Sequence, residues 1–161
     1  MNQLDKRESS IMKLTAKAYL RIAAEDWRDK YDYVRPFVED FAKVYLNGKW
    51  GFVDRTGKEV VKPKYNSAWN FSEGLSAVQL GDKMGCIDKT GKIVIELKYD
   101  YVWDFSEGLA EVELGDKKGW VTLEGKELLL SKDKHIQIKN LIELEKITEE
   151  ELINWVKERA V

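Results

Sequence analysis

The sequence is poor in the residues from which most compact sites are built. Among 161 residues there is one cysteine, Cys86, one histidine, His135, and two prolines. A lone cysteine excludes an intramolecular disulfide and any Cys-x-x-Cys motif, and a lone histidine excludes a His-Glu-x-x-His metal helix. A Ser-His-Asp triad or a histidine-based metal site would need further fixed partners for His135, and none can be named. An excess of charge is lacking too. With 27 Lys and Arg against 29 Asp and Glu, the formal charge is −2, which removes the electrostatic reason to expect nucleic acid or an anionic membrane as partner. No apolar run approaches the length of a bilayer-spanning helix. No apolar segment follows a basic start in Met1–Ser10, so no secretory leader is expected. One unpaired thiol suits a reducing cytoplasm, the expected compartment. What the chain does have is a hydrophobic fraction of 43%, six Trp and seven Tyr, enough for a folded domain or a short repeat array.

Its strongest feature is self-similarity. Lys49-Trp50-Gly51-Phe52-Val53-Asp54 recurs 34 residues on as Lys83-Met84-Gly85-Cys86-Ile87-Asp88, and 34 further on as Lys117-Lys118-Gly119-Trp120-Val121-Thr122. Lys64-Tyr65-Asn66-Ser67-Ala68-Trp69-Asn70-Phe71-Ser72-Glu73-Gly74-Leu75 likewise matches the stretch from Lys98 to Leu109, and a degraded copy begins at Lys30. Five columns stay apolar in every copy: Tyr31/65/99, Phe37/71/105, Phe41/Leu75/Leu109, Val44/78/112 and Leu46/80/114. Units that bury one face against the next would produce such columns, which reads them as core. Gly51, Gly85 and Gly119 repeat as structural positions beside them.

Each unit reads as β-structure. Asn47-Gly48, Gly81-Asp82 and Gly115-Asp116 supply the positive φ that two-residue primed hairpin turns require. Asp54-Arg55-Thr56-Gly57 and Asp88-Lys89-Thr90-Gly91 suit a second turn, with Asp accepting backbone N–H bonds and Gly left-handed. Two hairpins and about three strands per unit follow, then an irregular stretch through the Tyr, Trp, Phe and Glu-Gly positions, with Pro63 just after a strand. The expected fold is mainly β with flanking α: tandem 34-residue hairpin repeats in an antiparallel meander or solenoid-like sheet, capped by N- and C-terminal helices. The divisions are 1–29 for an N-terminal helical cap, 30–130 for the repeats (30–48 partial, 49–82, 83–116, 117–130 partial) and 131–161 for a C-terminal helical cap. Apolar spacing from Ile11 to Tyr31 predicts a helix capped by Ser9 or Ser10. Thr148-Glu149-Glu150-Glu151 is a capping box ahead of Leu152 and Val156, and residues 134–146 allow a further helix.

The run from Lys49 to Val60, followed by Phe71-Ser72-Glu73-Gly74-Leu75, resembles the WG-repeat family, bacterial β-rich repeats named for a Trp-Gly pair. The likeness covers about 100 of the 161 residues, and the chain departs from it where Met84 and Lys118 replace the Trp. The resemblance implies a repeat-built interaction module and brings no catalytic residues with it.

Candidate chemistry is sparse. Asp88-Lys89-Thr90-Gly91 resembles the start of the phosphorylated loop of P-type ATPases, but Lys92 follows where a further Thr is needed, and the tandem copy at Asp54 reads as a hairpin turn. Cys86 shares a column with Phe52 and Trp120, the place of a core thiol. Glu39, Glu73 and Glu107 form an acidic column, read as carboxylates that accept backbone N–H bonds within each Ser-Glu-Gly turn. No catalytic residue, cofactor or metal site is expected, and the chain is read as non-enzymatic.

The binding-surface candidates are Trp69 and Trp103, with Arg35 as their equivalent in the first copy, and the drifting column Trp50, Met84, Lys118, which suggests partial exposure. Flat apolar rings one unit apart suit a partner's side chains or a sugar, whereas the plainer use of Trp69 and Trp103 is to wedge units together. The expected function is a rigid repeat surface that binds another protein, with no nucleic acid and no membrane, in an oligomeric state left open. Two alternatives stand beside it: a cytoplasmic toxin-neutralising immunity protein, and a carbohydrate or peptidoglycan binder using Trp69 and Trp103.

Overall fold

The computed structural model describes Lys13, residues 26–143 and residues 146–159. The N-terminal cap lies outside these residues, apart from Lys13 and its last four positions. There the helix expected to reach Tyr31 does not do so: Asp26 has extended backbone angles and caps a separate 3₁₀ turn, Trp27–Lys30.

Three antiparallel sheets of four strands follow, each in chain order. The first holds β1 (Tyr33–Val38), β2 (Phe41–Leu46), β3 (Lys49–Asp54) and β4 (Glu59–Tyr65). The second holds β5 (Ser67–Ala68), β6 (Leu75–Leu80), β7 (Lys83–Asp88) and β8 (Ile93–Tyr99), and the third β9 (Tyr101–Val102), β10 (Leu109–Leu114), β11 (Lys117–Thr122) and β12 (Glu127–Ser131). The fold is mainly β, a meander within each sheet, as the turn chemistry predicts. The stretch expected to be irregular supplies a fourth strand, and its Glu-Gly pair makes another tight hairpin. Ser72 and Leu75 exchange both backbone bonds, at 2.8 and 3.1 Å, around Glu73 and Gly74 at φ 51° and 81°, a primed turn.

The Asp-x-Thr-Gly turns form as read. Asp54 Oδ1 accepts from Thr56 N at 2.8 Å, Thr56 Oγ1 at 2.6 Å and Lys58 N at 3.1 Å, and Asp88 repeats the set with Thr90 and Lys92. Pro63, expected just after a strand, lies inside β4. Its missing N–H costs little because β4 is an edge strand and its register against β3 is irregular there. Close approach of the next strand accounts for the Gly51, Gly85 and Gly119 column. The fourth strand of each sheet passes so close that a Cβ there would collide with the carbonyls of Val61, Ile95 and Leu128.

The core follows the period. Phe52, Val61, Tyr65, Phe71, Val78 and Ile87 form one buried cluster where the first sheet meets the second. Each has its counterpart in the cluster between the second and third: Cys86, Ile95, Tyr99, Phe105, Val112 and Val121. In the Leu46/80/114 column, Leu46 and Leu114 pack against core clusters, and Leu80 alone is a correction, 45% exposed. Two helices close the C-terminal end, α1 (Lys132–Glu143) and α2 (Glu149–Arg159). The capping box is made, with Glu151 N donating to Thr148 Oγ1 at 3.1 Å and Thr148 N to Glu151 Oε2 at 2.7 Å. Leu152 and Val156 of α2 bury against Leu109 and Trp120 of the third sheet. No described helix is long and apolar enough to cross a membrane.

Candidate functional site

On the outer face of the first sheet, register brings aromatic and cationic side chains together. Tyr33 opposes Tyr45 across β1 and β2, and Tyr45 opposes Trp50 across β2 and β3. Their rings follow at centroid distances of 5.7 and 4.9 Å, a contiguous aromatic ladder. Strand alternation explains it: Ala42 and Val44 of β2 point into the core and Lys43 and Tyr45 away from it. The Arg35 guanidinium stands 6.0 Å from the Trp50 ring, and the Lys43 ammonium 5.6 Å from it, within cation–π range. Lys43 also donates to the Ala68 carbonyl at 3.2 Å. Burial lowers its pKa, and the nearby Arg35 charge lowers it further. Arg35, Pro36, Val38, Lys43, Trp50 and Asn70 enclose a groove of about 430 Å³.

A second cleft, about 380 Å³, opens between the third sheet and the C-terminal helices and includes Trp103, Glu111, Trp120 and Lys139. Lys139 pairs with Glu111 at 2.7 Å. Trp103 is 38% exposed, its ring 4.3 Å from that of Tyr101 and 5.5 Å from the Lys118 ammonium. Trp120 stacks on His135 at 4.3 Å and 29°. His135, expected in a solvated connection, is instead buried in α1.

The five surface candidates therefore separate. Arg35 and Trp50 share the first groove and Trp103 lies at the second cleft. Trp69 packs against the core between the second and third sheets, the wedge its plainer reading anticipates. Met84 is a correction: it is 2% exposed, because on β7 it stands opposite Tyr99 and belongs to the same buried cluster. Tyr33, Tyr45 and Lys43 were not singled out in the sequence, although alternation along β2 would have placed the last two outward.

The acidic column is also corrected. Glu73 does not hold its own turn: its Oε2 accepts from Gly108 N at 2.9 Å, in the next unit. Glu39 pairs with Lys89 of the second sheet at 3.3 Å. Cys86 is buried, and burial pushes its thiol up to about 12, which leaves it unreactive at neutral pH. Among the described residues no group of three or more His, Cys, Asp or Glu is placed to hold a metal ion.

A family model for the WG containing repeat matches the chain three times in tandem, at residues 30–50, 50–83 and 84–117. No curated protein matches it.

Proposed function

The chain belongs to the family of WG containing repeats, and from that premise we propose that it is a non-catalytic interaction module whose first sheet engages a protein partner. The observation that carries this reading is the juxtaposition of Tyr33, Tyr45, Trp50 and Arg35 on one rigid face. Trp, Tyr and Arg dominate the energetics of protein interfaces because they bring large area and directed polar contacts with few rotatable bonds. A sheet holds them without further ordering cost on binding. The carbohydrate alternative needs Trp69 and Trp103 open together, and Trp69 is partly buried against the core. The single buried thiol suits a cytoplasmic setting.

The test is photo-crosslinking in the native host, with benzoylphenylalanine in place of Tyr33, which is 64% exposed, or of Asp116 as control. A discrete protein adduct from position 33 alone, lost in Trp50→Ala and Arg35→Ala proteins of unchanged melting temperature, is the expected result. No adduct, or equal adducts from both positions, overturns the reading.

A further inference from the structure

We infer that the junction of the first and second sheets receives an acidic side chain, Glu or Asp, of a partner protein, held by the Tyr65 hydroxyl and the Lys64 ammonium beside Ile93. This rests on the reading of the chain as a protein-binding module and gives it a specific anchor.

The ligand chemistry is written in the two flanking copies. Before the first sheet, Tyr31 Oη donates to Glu59 Oε1 at 2.9 Å and Lys30 Nζ reaches the same oxygen at 2.6 Å. Between the second and third sheets, the Tyr99 hydroxyl and Lys98 ammonium take Glu127 in the same way. The acceptor stands each time at one register position, opposite Val53 in the first sheet and Val121 in the third. In the second sheet that position, opposite Ile87, is Ile93.

Both donors nevertheless keep their places. The Lys64 ammonium lies 5.1 Å from the Tyr65 ring, against 5.4 Å for Lys30 over Tyr31 and 5.3 Å for Lys98 over Tyr99. Tyr65 is 1% exposed, and its hydroxyl has no hydrogen-bond partner among the described residues. A buried hydroxyl left unpaired carries an uncompensated desolvation penalty, so an incoming acceptor relieves an existing cost.

Access and charge fit an approach from outside. The equivalent carboxylates are reached from the rim, where the Glu59 and Glu127 side chains are 21% and 29% exposed. Ile93 is 45% exposed, an apolar contact for the methylene stem of an arriving glutamate. Lys62 and Lys92, both exposed, add positive charge on β4 and beside Ile93.

The test uses methyl- and amide-labelled full-length protein titrated with N-acetyl-glutamate N-methylamide, with its glutamine counterpart and with acetate. The glutamyl probe should shift the Ile93 methyl and the amides around Lys64 and Tyr65. Tyr65→Phe should weaken it at least about tenfold. Ile93→Glu, which brings its own carboxylate, should abolish the response and raise the melting temperature by roughly 3–6 °C. Equal shifts from the glutamine probe, or a melting temperature not raised by Ile93→Glu, overturn the assignment. Acetate binding as tightly as the glutamyl probe overturns the side-chain source in favour of a free small carboxylate. The two readings fail separately. A probe response without crosslinking at position 33 removes the first-sheet interface and leaves the junction. Crosslinking undiminished by Ile93→Glu, with no probe response, removes the junction and leaves the module.

Discussion

Glu73 accepts the backbone N–H of Gly108 across the seam between the second and third sheets, at 2.9 Å. Ser72 beside it donates from Oγ to the Phe105 carbonyl at 3.0 Å, so one hairpin turn ties itself to the corresponding turn of the next unit. Glu73 holds a left-handed φ of 51° to do so, and Glu39 and Glu107 adopt 47° and 53° at the same place. Such backbone costs of order 1 kcal/mol in a residue other than glycine, and the tie across the seam offsets it.

Glu73→Ala should therefore lower the melting temperature by roughly 2–4 °C, the equivalent of about 1 kcal/mol for an exposed charge-assisted bond. Glu107→Ala has the same backbone geometry but no hydrogen-bond partner for its carboxylate among the described residues, and should change stability little. Paired melting curves separate the bond from the turn; equal losses would assign the effect to backbone conformation.

The tyrosine column should split in the same manner. Tyr99→Phe removes the bond to Glu127 and should cost about 1–3 kcal/mol, whereas Tyr65→Phe removes an unpaired hydroxyl and should be neutral or stabilising. Burial tends to raise the Glu127 carboxyl, but the Tyr99 hydroxyl and Lys98 ammonium outweigh it and hold the group below the usual glutamate range. A carboxylate lowered in the folded state contributes stability that is complete above its unfolded pKa, about 4.3, and is lost as pH falls through the folded value. Glu127→Gln should thus flatten the loss of stability on acidification below about pH 4.5, measured by denaturant titration.

Phe71 packs between the first two sheets, its ring 5.0 Å from Phe41 and 4.9 Å from Phe52. Phe71→Ala should cost about 3–5 kcal/mol. Leu80→Ala, in a column that repeats as faithfully, should cost under about 1 kcal/mol because the side chain is already half in water. Urea titration of the two variants distinguishes a buried position from an exposed one.

His135 is buried against Trp120, with Nε2 unpartnered among the described residues. Burial lowers its pKa; Glu111 pulls it up and Lys139 pushes it down, and the net direction is downward. A base lowered in the folded state loses stability as pH falls from its unfolded pKa, about 6.5, because the unfolded chain takes up the proton first. His135→Phe keeps the stack and should remove the decline between about pH 6.5 and 5. Melting temperatures that decline equally in both proteins would show that His135 is not the titrating group.

Much of this was legible from the residues. The period, the Tyr, Phe and Val core columns, the Asp-x-Thr-Gly turns and the Thr148–Glu151 cap all rest on contacts between residues near in sequence or related by the repeat. The Leu80 and Met84 assignments failed because periodicity marks which positions are alike without saying which face or depth they occupy. Tyr45 and Lys43 escaped notice because the later units have Gln79 and Glu113, and Ala77 and Glu111, in those columns, and Tyr33, which recurs as Tyr101, because Ser67 interrupts its column.

By itself, then, the amino-acid order determined a tandem array of β-hairpins with a shared core, since turn residues act locally and equal spacing aligns equal surfaces. Tertiary structure alone decided that these hairpins form three sheets, that Glu73 reaches the neighbouring unit rather than its own turn, and that the buried Tyr65 hydroxyl is left without a partner where Tyr31 and Tyr99 reach glutamates. Those outcomes depend on how one unit is turned against the next, and that angle is set by the summed packing of side chains some 34 residues apart, which no local pattern encodes.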